Sequence, residues 1–183
     1  MGLFGPSNPV FAMLQKDHQK VKDLFDDFEQ ADDARTKHRI INETIRELEV
    51  HAKLEESLIY PAIRKEIDDE MDMDEALEEH HVAHVLLNEL KRMKGNLTDR
   101  YQAKFKVLGE SIKHHVKEEE GTMFPKAEKI DLDWEALAKK ATTHKESLMA
   151  RQNGGRRGRT AQAKRRTYSG GRKSHARPSR KAA

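Results

Sequence analysis

Two segments of the chain place an imidazole and a carboxylate at the same spacing. His51 is followed four residues later by Glu55, and His115 is followed four residues later by Glu119. Residues four apart lie one turn from each other on the same face of an α-helix. Each pair can therefore bind a metal ion from one side of a helix, because imidazole and carboxylate suit iron, manganese and zinc.

Three more histidines occur one helix earlier in the two halves of the chain. His18 lies 33 residues before His51, and His84 lies 31 residues before His115. His80 lies one further helical turn before His84. The spacing predicts two similar helical hairpins, related by a pseudo-two-fold axis, that surround one centre with ligand-bearing helices.

The elements that must position these residues are amphipathic helices, since apolar residues recur along the chain at spacings of three and four. Tyr60-Pro61 and Phe124-Pro125 are expected to end or kink the second and fourth helices, because a residue before proline disfavours helical dihedral angles. We predict an all-α fold, an antiparallel up-down-up-down four-helix bundle. The four predicted helices span about residues 9–30, 34–60, 73–94 and 98–123.

The chain divides by composition into four regions. We predict a lead-in at residues 1–8, the bundle at residues 9–126, a short accessory helix within residues 127–150 and a disordered tail at residues 151–183. The tail is rich in Gly, Arg, Ser and Lys and has no apolar periodicity. It therefore cannot bury enough surface to offset the entropy cost of ordering.

The net charge of +3 hides an acidic body and a basic tail. Residues 151–183 contain 12 of the 35 Lys and Arg residues and none of the 32 Asp and Glu residues. This is the electrostatic pattern of a segment that contacts nucleic-acid phosphates without reading bases. A solubilising extension that balances the acidic body explains the same charges, and the sequence leaves both interpretations open.

Composition also limits the class and location of the protein. The chain contains no cysteine, so that any metal must be held by His and carboxylate side chains. No apolar run approaches the roughly 18 residues of a membrane span, and the first residues lack the pattern of a secretory signal. We therefore expect a cytoplasmic protein without a membrane partner.

The candidate ligands lie on the apolar stripes of the predicted helices, so we expect them to point into the bundle. Buried carboxylates need a compensating positive charge, and no Lys or Arg lies on those stripes. A metal supplies this charge. Two ions bridged by Glu55 and Glu119, with five histidines shared three to two, would use the ligands and leave one position for a small molecule.

The complete pattern resembles the hemerythrin-like domain, also called the HHE cation-binding domain, of the bacterial type. The resemblance covers about residues 9–126 and implies a non-haem centre of two Fe ions that binds O2, peroxide or NO. Oxygen carriers of the family have His-x4-Asp in the fourth helix, whereas this chain has His115-x3-Glu119, as the bacterial subgroup does. That subgroup includes sensors, iron-handling proteins and candidate defences against peroxide or NO. The residues that match the ligand positions are His18, His51, Glu55, His80, His84, His115 and Glu119.

Two functions compete at the level of sequence. The first is a di-iron protein that binds or reduces O2, peroxide or NO. The second is a non-catalytic iron-binding or sensory module that its basic tail docks on nucleic acid. No general acid or base is identifiable beyond the ligands, so the sequence assigns no catalytic residue.

Neighbouring residues leave alternatives open at the site. His81 and His114 directly adjoin predicted ligands and could replace them. His80 is favoured because it pairs with His84 four residues later, and His115 because the repeat aligns it with His51. Glu56 and Glu120 are expected outside the ligand set, either close to it or at the surface, although one of them could replace a bridging carboxylate. Tyr60 is expected to pack at a helix end rather than to hydrogen-bond at the site.

Overall fold

The computed structural model describes residues 8–66, 71–93 and 97–168, and all regular secondary structure in these ranges is helical. The predicted all-α class is therefore confirmed. The chain divides into two compact units, residues 1–148 and 149–183. Two π-helical turns, Glu55–Ile59 and Glu119–Met123, each join two α-helices. The α-helices are α1 (Pro9–Gln30), α2 (Ala34–Leu54), α3 (Tyr60–Arg64), α4 (Met71–Arg92), α5 (Asp99–Glu118), α6 (Phe124–Ala127) and α7 (Trp134–Tyr168).

Polar side chains fix where three of the bundle helices begin. Oδ1 of Asn8 accepts a hydrogen bond from the backbone N–H two residues later at 2.9 Å. Asp33 and Thr98 accept hydrogen bonds from the N–H groups three residues later, at 2.9 and 3.2 Å. These caps satisfy N–H groups that have no partner within the helix. They thereby set the first residue, and hence the inward face, of α1, α2 and α5.

The bundle consists of two hairpins, α1 with α2 and α4 with α5, and its core is divided by a polar layer. Along α1, Leu14 belongs to one apolar cluster and Val21 to another, and His18 lies between them. Helix α2 crosses between the same two clusters at His51. The histidines are thus held in the middle of the bundle. None of the described helices is long and apolar enough to cross a membrane.

The sequence left open whether each proline ends or kinks its helix, and in the structure neither helix ends there. The backbone N–H of Tyr60 donates to the carbonyl of Glu55, five residues earlier, and that of Phe124 donates to Glu119 in the same way. Proline lacks an N–H, and its ring clashes with the carbonyl four residues before it in a regular α-helix. A turn widened by one residue accommodates the ring, and the helices continue as α3 and α6.

Helix α7 is longer than the accessory helix that the sequence predicts. It runs from Trp134 to Tyr168, so residues 151–168 are helical where we predicted disorder. Residues 161–166 consist of Ala, Gln, Lys and Arg, which are good helix formers and favour this continuation despite the glycines before them. The rest of the predicted tail, residues 169–183, and most of the lead-in, residues 1–7, lie outside the described residues.

Candidate metal centre

Six of the seven predicted ligands meet in the polar layer. Each of them is at most 6% exposed, and Glu55 is fully buried. Their ligand atoms form two groups that share Glu55, and the atoms within each group lie within 4.8 Å of one another. The first group is His18, His51, Glu55 and Glu119, and the second is Glu55, His80 and His115.

Two pairs of imidazole nitrogens face each other across the layer. Nε2 of His18 lies 3.1 Å from Nε2 of His51, and Nε2 of His80 lies 3.2 Å from Nε2 of His115. Oε2 of Glu55 reaches both pairs, at 3.1 Å from His51 and 3.3 Å from His80. Nitrogen lone pairs at such distances need a proton or a metal ion between them. Glu55 is placed to serve both pairs.

Glu119 is held on one side by Tyr60. The Tyr60 hydroxyl donates to Oε1 of Glu119 at 3.0 Å, while Oε2 lies 3.2 Å from Nε2 of His18 and 3.8 Å from that of His115. Burial, together with the charges of Glu55 and Glu119, raises the pKa of Tyr60 well above its usual range, which keeps the hydroxyl a donor. The packing role predicted for Tyr60 is therefore joined by a hydrogen bond to the site.

A second carboxylate lies behind each of the four histidines. It faces Nδ1 and so turns Nε2 toward the centre, an arrangement that orients metal-bound imidazoles in proteins. The sequence predicted Glu56 and Glu120 only as neighbours and gave no role to Asp17 or Glu79. A signal was present, because an acidic residue directly precedes the histidine in both Asp17-His18 and Glu79-His80. The pairs, with the distance from Nδ1 to the nearest carboxylate oxygen, are His18–Glu120 (2.6 Å), His115–Glu79 (2.7 Å), His80–Glu56 (3.3 Å) and His51–Asp17 (3.5 Å).

The structure does not bring His84 into either group. Its side chain is 38% exposed, and its Nε2 lies 2.8 Å from Oε1 of Glu56. Four residues along a helix correspond to about 6 Å of rise and about 40° of rotation, which is enough to leave a layer one side chain thick. The contacts therefore pair His18 with His80 across the pseudo-two-fold axis, whereas the sequence spacing paired it with His84.

The two histidines that remained alternatives lie at the surface. His81 is exposed, and the side chain of His114 is 60% exposed. His80 and His115, their neighbours in sequence, occupy the centre with 4% exposure each. The structure thus places in the layer the member of each pair that the sequence analysis favoured.

The donor set of the layer fits a metal cation. Both oxygens of Glu55 and Oε2 of Glu119 accept no hydrogen bond, although they are buried. Among the residues whose burial the structure describes, no Lys or Arg is buried to neutralise these carboxylates. Buried carboxylates without a positive partner are strongly unfavourable. Imidazole nitrogens and carboxylate oxygens are the ligands that iron, manganese and zinc accept.

Without a metal ion, protons on the imidazoles balance the carboxylates. Burial disfavours the charged imidazole of His51, but Glu55 and Asp17 outweigh it and raise the pKa of His51 to about 10. Burial also disfavours the charged imidazoles of His18 and His80, but their carboxylate partners outweigh it and raise the pKa of both. Burial alone would raise the pKa of Glu55, yet the facing imidazoles hold it well below its usual range. A metal ion would compete with these protons for Nε2.

Comparison with known proteins identifies the domain that carries this layer. The family model of the hemerythrin HHE cation-binding domain matches residues 10–127. The chain belongs to this family. Cation binding through the buried His and Glu residues is the property that the family and the geometry share.

Two relatives of this HHE protein are longer than the chain itself. An uncharacterised hemerythrin-like protein of Schizosaccharomyces pombe is 31% identical over 124 residues, which cover 67% of this chain and 61% of that protein. A protein of Nostoc sp. named DNA nickase is 27% identical over 112 residues, which cover 61% of this chain and 31% of that protein. This chain thus spans less than two thirds of either relative. No solved structure matches it significantly.

Helix α7 begins beyond the HHE domain and nevertheless contacts its metal layer. Nζ of Lys145 donates to Oδ1 of Asp17, the carboxylate that lies behind His51. Nε2 of His144 lies 3.1 Å from the hydroxyl of Ser57, in the first π-helical turn. Sequence spacing gave no indication of these contacts, because their partners are 128 and 87 residues apart.

Cavities of the HHE domain reach the layer from more than one side, and two of them differ in size and lining. A groove of about 760 Å³ between α1 and α5 ends at His18 and Glu120. A Cβ atom at Gly109, in the wall of this groove, would come within 3.0 Å of the Phe25 ring, so glycine permits the two helices to approach closely there. A second cavity of about 20 Å³ touches all four central histidines and has an almost entirely apolar lining that includes Leu87. Its size suits a molecule of a few atoms.

Proposed function

We propose that this protein is a non-haem di-iron protein that binds or reduces O2, peroxide or NO in the core of the bundle. The observation that carries the proposal is Glu55, a fully buried carboxylate without hydrogen bonds that lies beside both pairs of histidine nitrogens. We infer that His18 and His51 hold one ion and that His80 and His115 hold the other. Glu55 and Glu119 would bridge the two.

The residues around these ligands prepare the site for a small molecule. Bound iron would supply the redox chemistry that side chains lack. The four outer carboxylates hold the imidazoles with Nε2 inward, and Tyr60 fixes one oxygen of Glu119. The apolar side chains of Leu48 and Leu87 line the small cavity beside the histidines and limit the access of water. His84 supports the site through Glu56 and is not a ligand in this proposal.

Elemental analysis and the optical spectrum of aerobically purified protein test the proposal together. We expect about two Fe per chain and the near-ultraviolet absorption of an oxo-bridged pair, which should change when peroxide or NO is added. Stoichiometric zinc instead of iron, or the absence of bound metal after purification from iron-replete cells, would contradict it. If the protein holds two Fe but its spectrum does not respond to O2, peroxide or NO, the proposed metal binding would stand and the proposed small-ligand function would be contradicted.

We also propose that residues 151–183 dock the protein on nucleic acid. The specific observation is the charge of this segment, which contains 12 Lys and Arg residues and no acid. The name of the Nostoc relative points to DNA, but this chain covers only 31% of that protein. Deletion of residues 151–183 should abolish salt-sensitive retention on DNA and leave the iron spectrum unchanged. Equal retention of both proteins at low salt would contradict docking through this segment.

A further inference from the structure

A third group of ligand residues lies outside the buried layer, on α4 and α5. Nε2 of His114 lies 3.5 Å from Oε1 of Glu79 and 3.3 Å from Oε1 of Glu118. The three ligand atoms lie within 4.8 Å of one another. The side chains of His114 and Glu118 are 60% and 44% exposed, whereas that of Glu79 is 18% exposed. The group therefore faces solvent on one side and the bundle on the other.

Glu79 connects this exterior group to the buried centre. Its Oε1 faces His114, and its Oε2 lies 2.7 Å from Nδ1 of His115. A cavity of about 170 Å³ begins at Glu75 and Glu118 and extends to His115 and Glu119. Half of its lining residues are glutamates, so that its potential attracts cations.

One residue that lines this cavity carries an unsatisfied buried oxygen. Glu119 is 1% exposed and lines the cavity, and its Oε2 accepts no hydrogen bond. A buried carboxylate oxygen in that condition favours a cation beside it. Glu118, Glu79 and Glu119 thus line the cavity, and His114 lies beside Glu79 and Glu118.

Among the described residues, the opposite edge of the layer has no corresponding group of exposed ligand residues. Val50 and Leu54 occupy the positions that correspond to His114 and Glu118, and both are buried. The carboxylate of Asp17, which corresponds to Glu79, contacts Lys145 of α7 instead. A cation approaching this edge would meet apolar side chains and a positive charge. The difference assigns a direction to cation access.

We propose that Glu79, His114 and Glu118 form a transient Fe(II) site through which iron passes into the buried centre. This inference rests on the proposed di-iron function. Three ligands at a partly exposed position bind an ion weakly enough to release it, which transfer requires. Glu79 can keep one oxygen on the ion and the other on His115 while the ion enters the cavity. The carboxylates of Glu75 and Glu118 raise the local concentration of the cation.

The rate of iron uptake tests this site. Metal-free full-length protein is mixed with Fe(II) under argon, and iron resistant to a fast chelator is measured over time. We expect the H114A/E118Q variant to fill about tenfold more slowly than the wild type, because a charged cleft typically accelerates encounter by that factor or more. Its final iron content should equal that of the wild type. The wild-type rate should also fall more steeply with added salt than the variant rate.

The E78Q/H81A variant is a matched control. It removes the same charge and one imidazole from exposed positions of α4 that belong to none of the three groups. It should fill at the wild-type rate. Equal rates for H114A/E118Q and the wild type would overturn the uptake site and leave the di-iron centre standing, as would equal slowing in the control. A wild-type protein that retains no chelator-resistant iron would overturn both proposals.

Discussion

The two edges of the metal layer resemble each other at the centre and differ at the surface. Each contributes a pair of Nε2 atoms, 3.1 Å apart in one half and 3.2 Å apart in the other. Behind His51, Asp17 contacts Lys145, whereas behind His115, Glu79 contacts His114. The ligands follow the duplication of the hairpins, but their surroundings do not. Two ions could therefore be bound by like ligands and still differ in exchange rate and in the basicity of their imidazoles.

The aromatic residues at the two π-helical turns show the same contrast. Tyr60 and Phe124 occupy corresponding positions, and only Tyr60 carries a hydroxyl. That hydroxyl fixes Oε1 of Glu119, whereas both oxygens of Glu55 accept no hydrogen bond. Glu55 is thus the freer of the two carboxylates to share its oxygens between ions, and Glu119 the more constrained.

Glu55→Gln should weaken metal binding in both halves of the layer at once and have the largest effect. The substitution removes the charge that serves both histidine pairs, so we expect loss of nearly all tightly bound metal. Metal at about 1,000 times its Kd stabilises a folded protein by about 4 kcal/mol, and the variant should lose this gain in thermal unfolding. Elemental analysis provides the second measurement. Glu78→Gln, at an exposed position of α4 that belongs to none of the ligand groups, is the control that should keep its metal, and full iron content in Glu55→Gln would show that Glu55 is not shared.

His80→Ala and His84→Ala should distinguish a metal ligand from a residue that only contacts a neighbouring carboxylate. His80→Ala removes a nitrogen that faces His115 and should leave at most one tightly bound ion per chain. His84→Ala removes only a contact with Glu56 and should keep both ions, with affinity reduced by about tenfold at most. Metal titration of the two purified variants measures the difference. Loss of one ion from both variants would return His84 to the ligand set.

Asp17→Asn and Glu79→Gln compare the carboxylates at the two edges. Each substitution removes the carboxylate charge that faces Nδ1 of one imidazole, and we expect a loss of about 10-fold to 100-fold in metal affinity for either variant. Only Glu79→Gln should also slow iron uptake, because Asp17 lies on the edge without an acidic cavity. Competition titrations give the affinities, and chelator quenching gives the rates. Equal uptake rates for the two variants would remove the proposed difference between the edges.

Lys145→Met should have the smallest effect on the comparison. It frees Asp17 from its cation while keeping the aliphatic length of the side chain, so His51 should become a slightly more basic ligand. Ion pairs of this kind contribute up to about 1 kcal/mol, so we expect metal affinity to change by about fivefold at most. Lys106→Met, which removes an exposed pair with Glu29, is the control. An equal change in metal affinity in the two variants would show that the contact between α7 and Asp17 does not affect the metal layer.

Much of this architecture follows from periodicity. The positions of His18, His51, Glu55 and their counterparts on apolar stripes predicted an inward layer, and the structure places six of the seven predicted residues there. His84 departs because a helical stripe extends along the axis, whereas the layer is only one side chain thick. An apolar stripe shows which side of the helix faces the core. Which residue of the stripe lies at the level of the layer depends on how the hairpins pack.

Other features could not be read from local spacing. The contact between Lys145 and Asp17 joins residues 128 positions apart and depends on the docking of α7. The prolines correctly marked two unusual places, but dihedral preference alone could not distinguish a helix end from a widened turn. Asp17 and Glu79 carried a local signal that became meaningful only when the direction of Nδ1 was known.

The two widened turns make the site sensitive to the number of residues as well as to their types. Each turn holds one residue more than a regular α-helix needs, and each α-helical residue corresponds to a rotation of about 100°. A chain shortened by one residue within residues 57–59 would keep every ligand and carry Tyr60 to another face of its helix, away from Glu119. In comparisons of related chains, a gap at either turn would therefore indicate a changed centre, even where the four histidines and two glutamates of the layer are all retained.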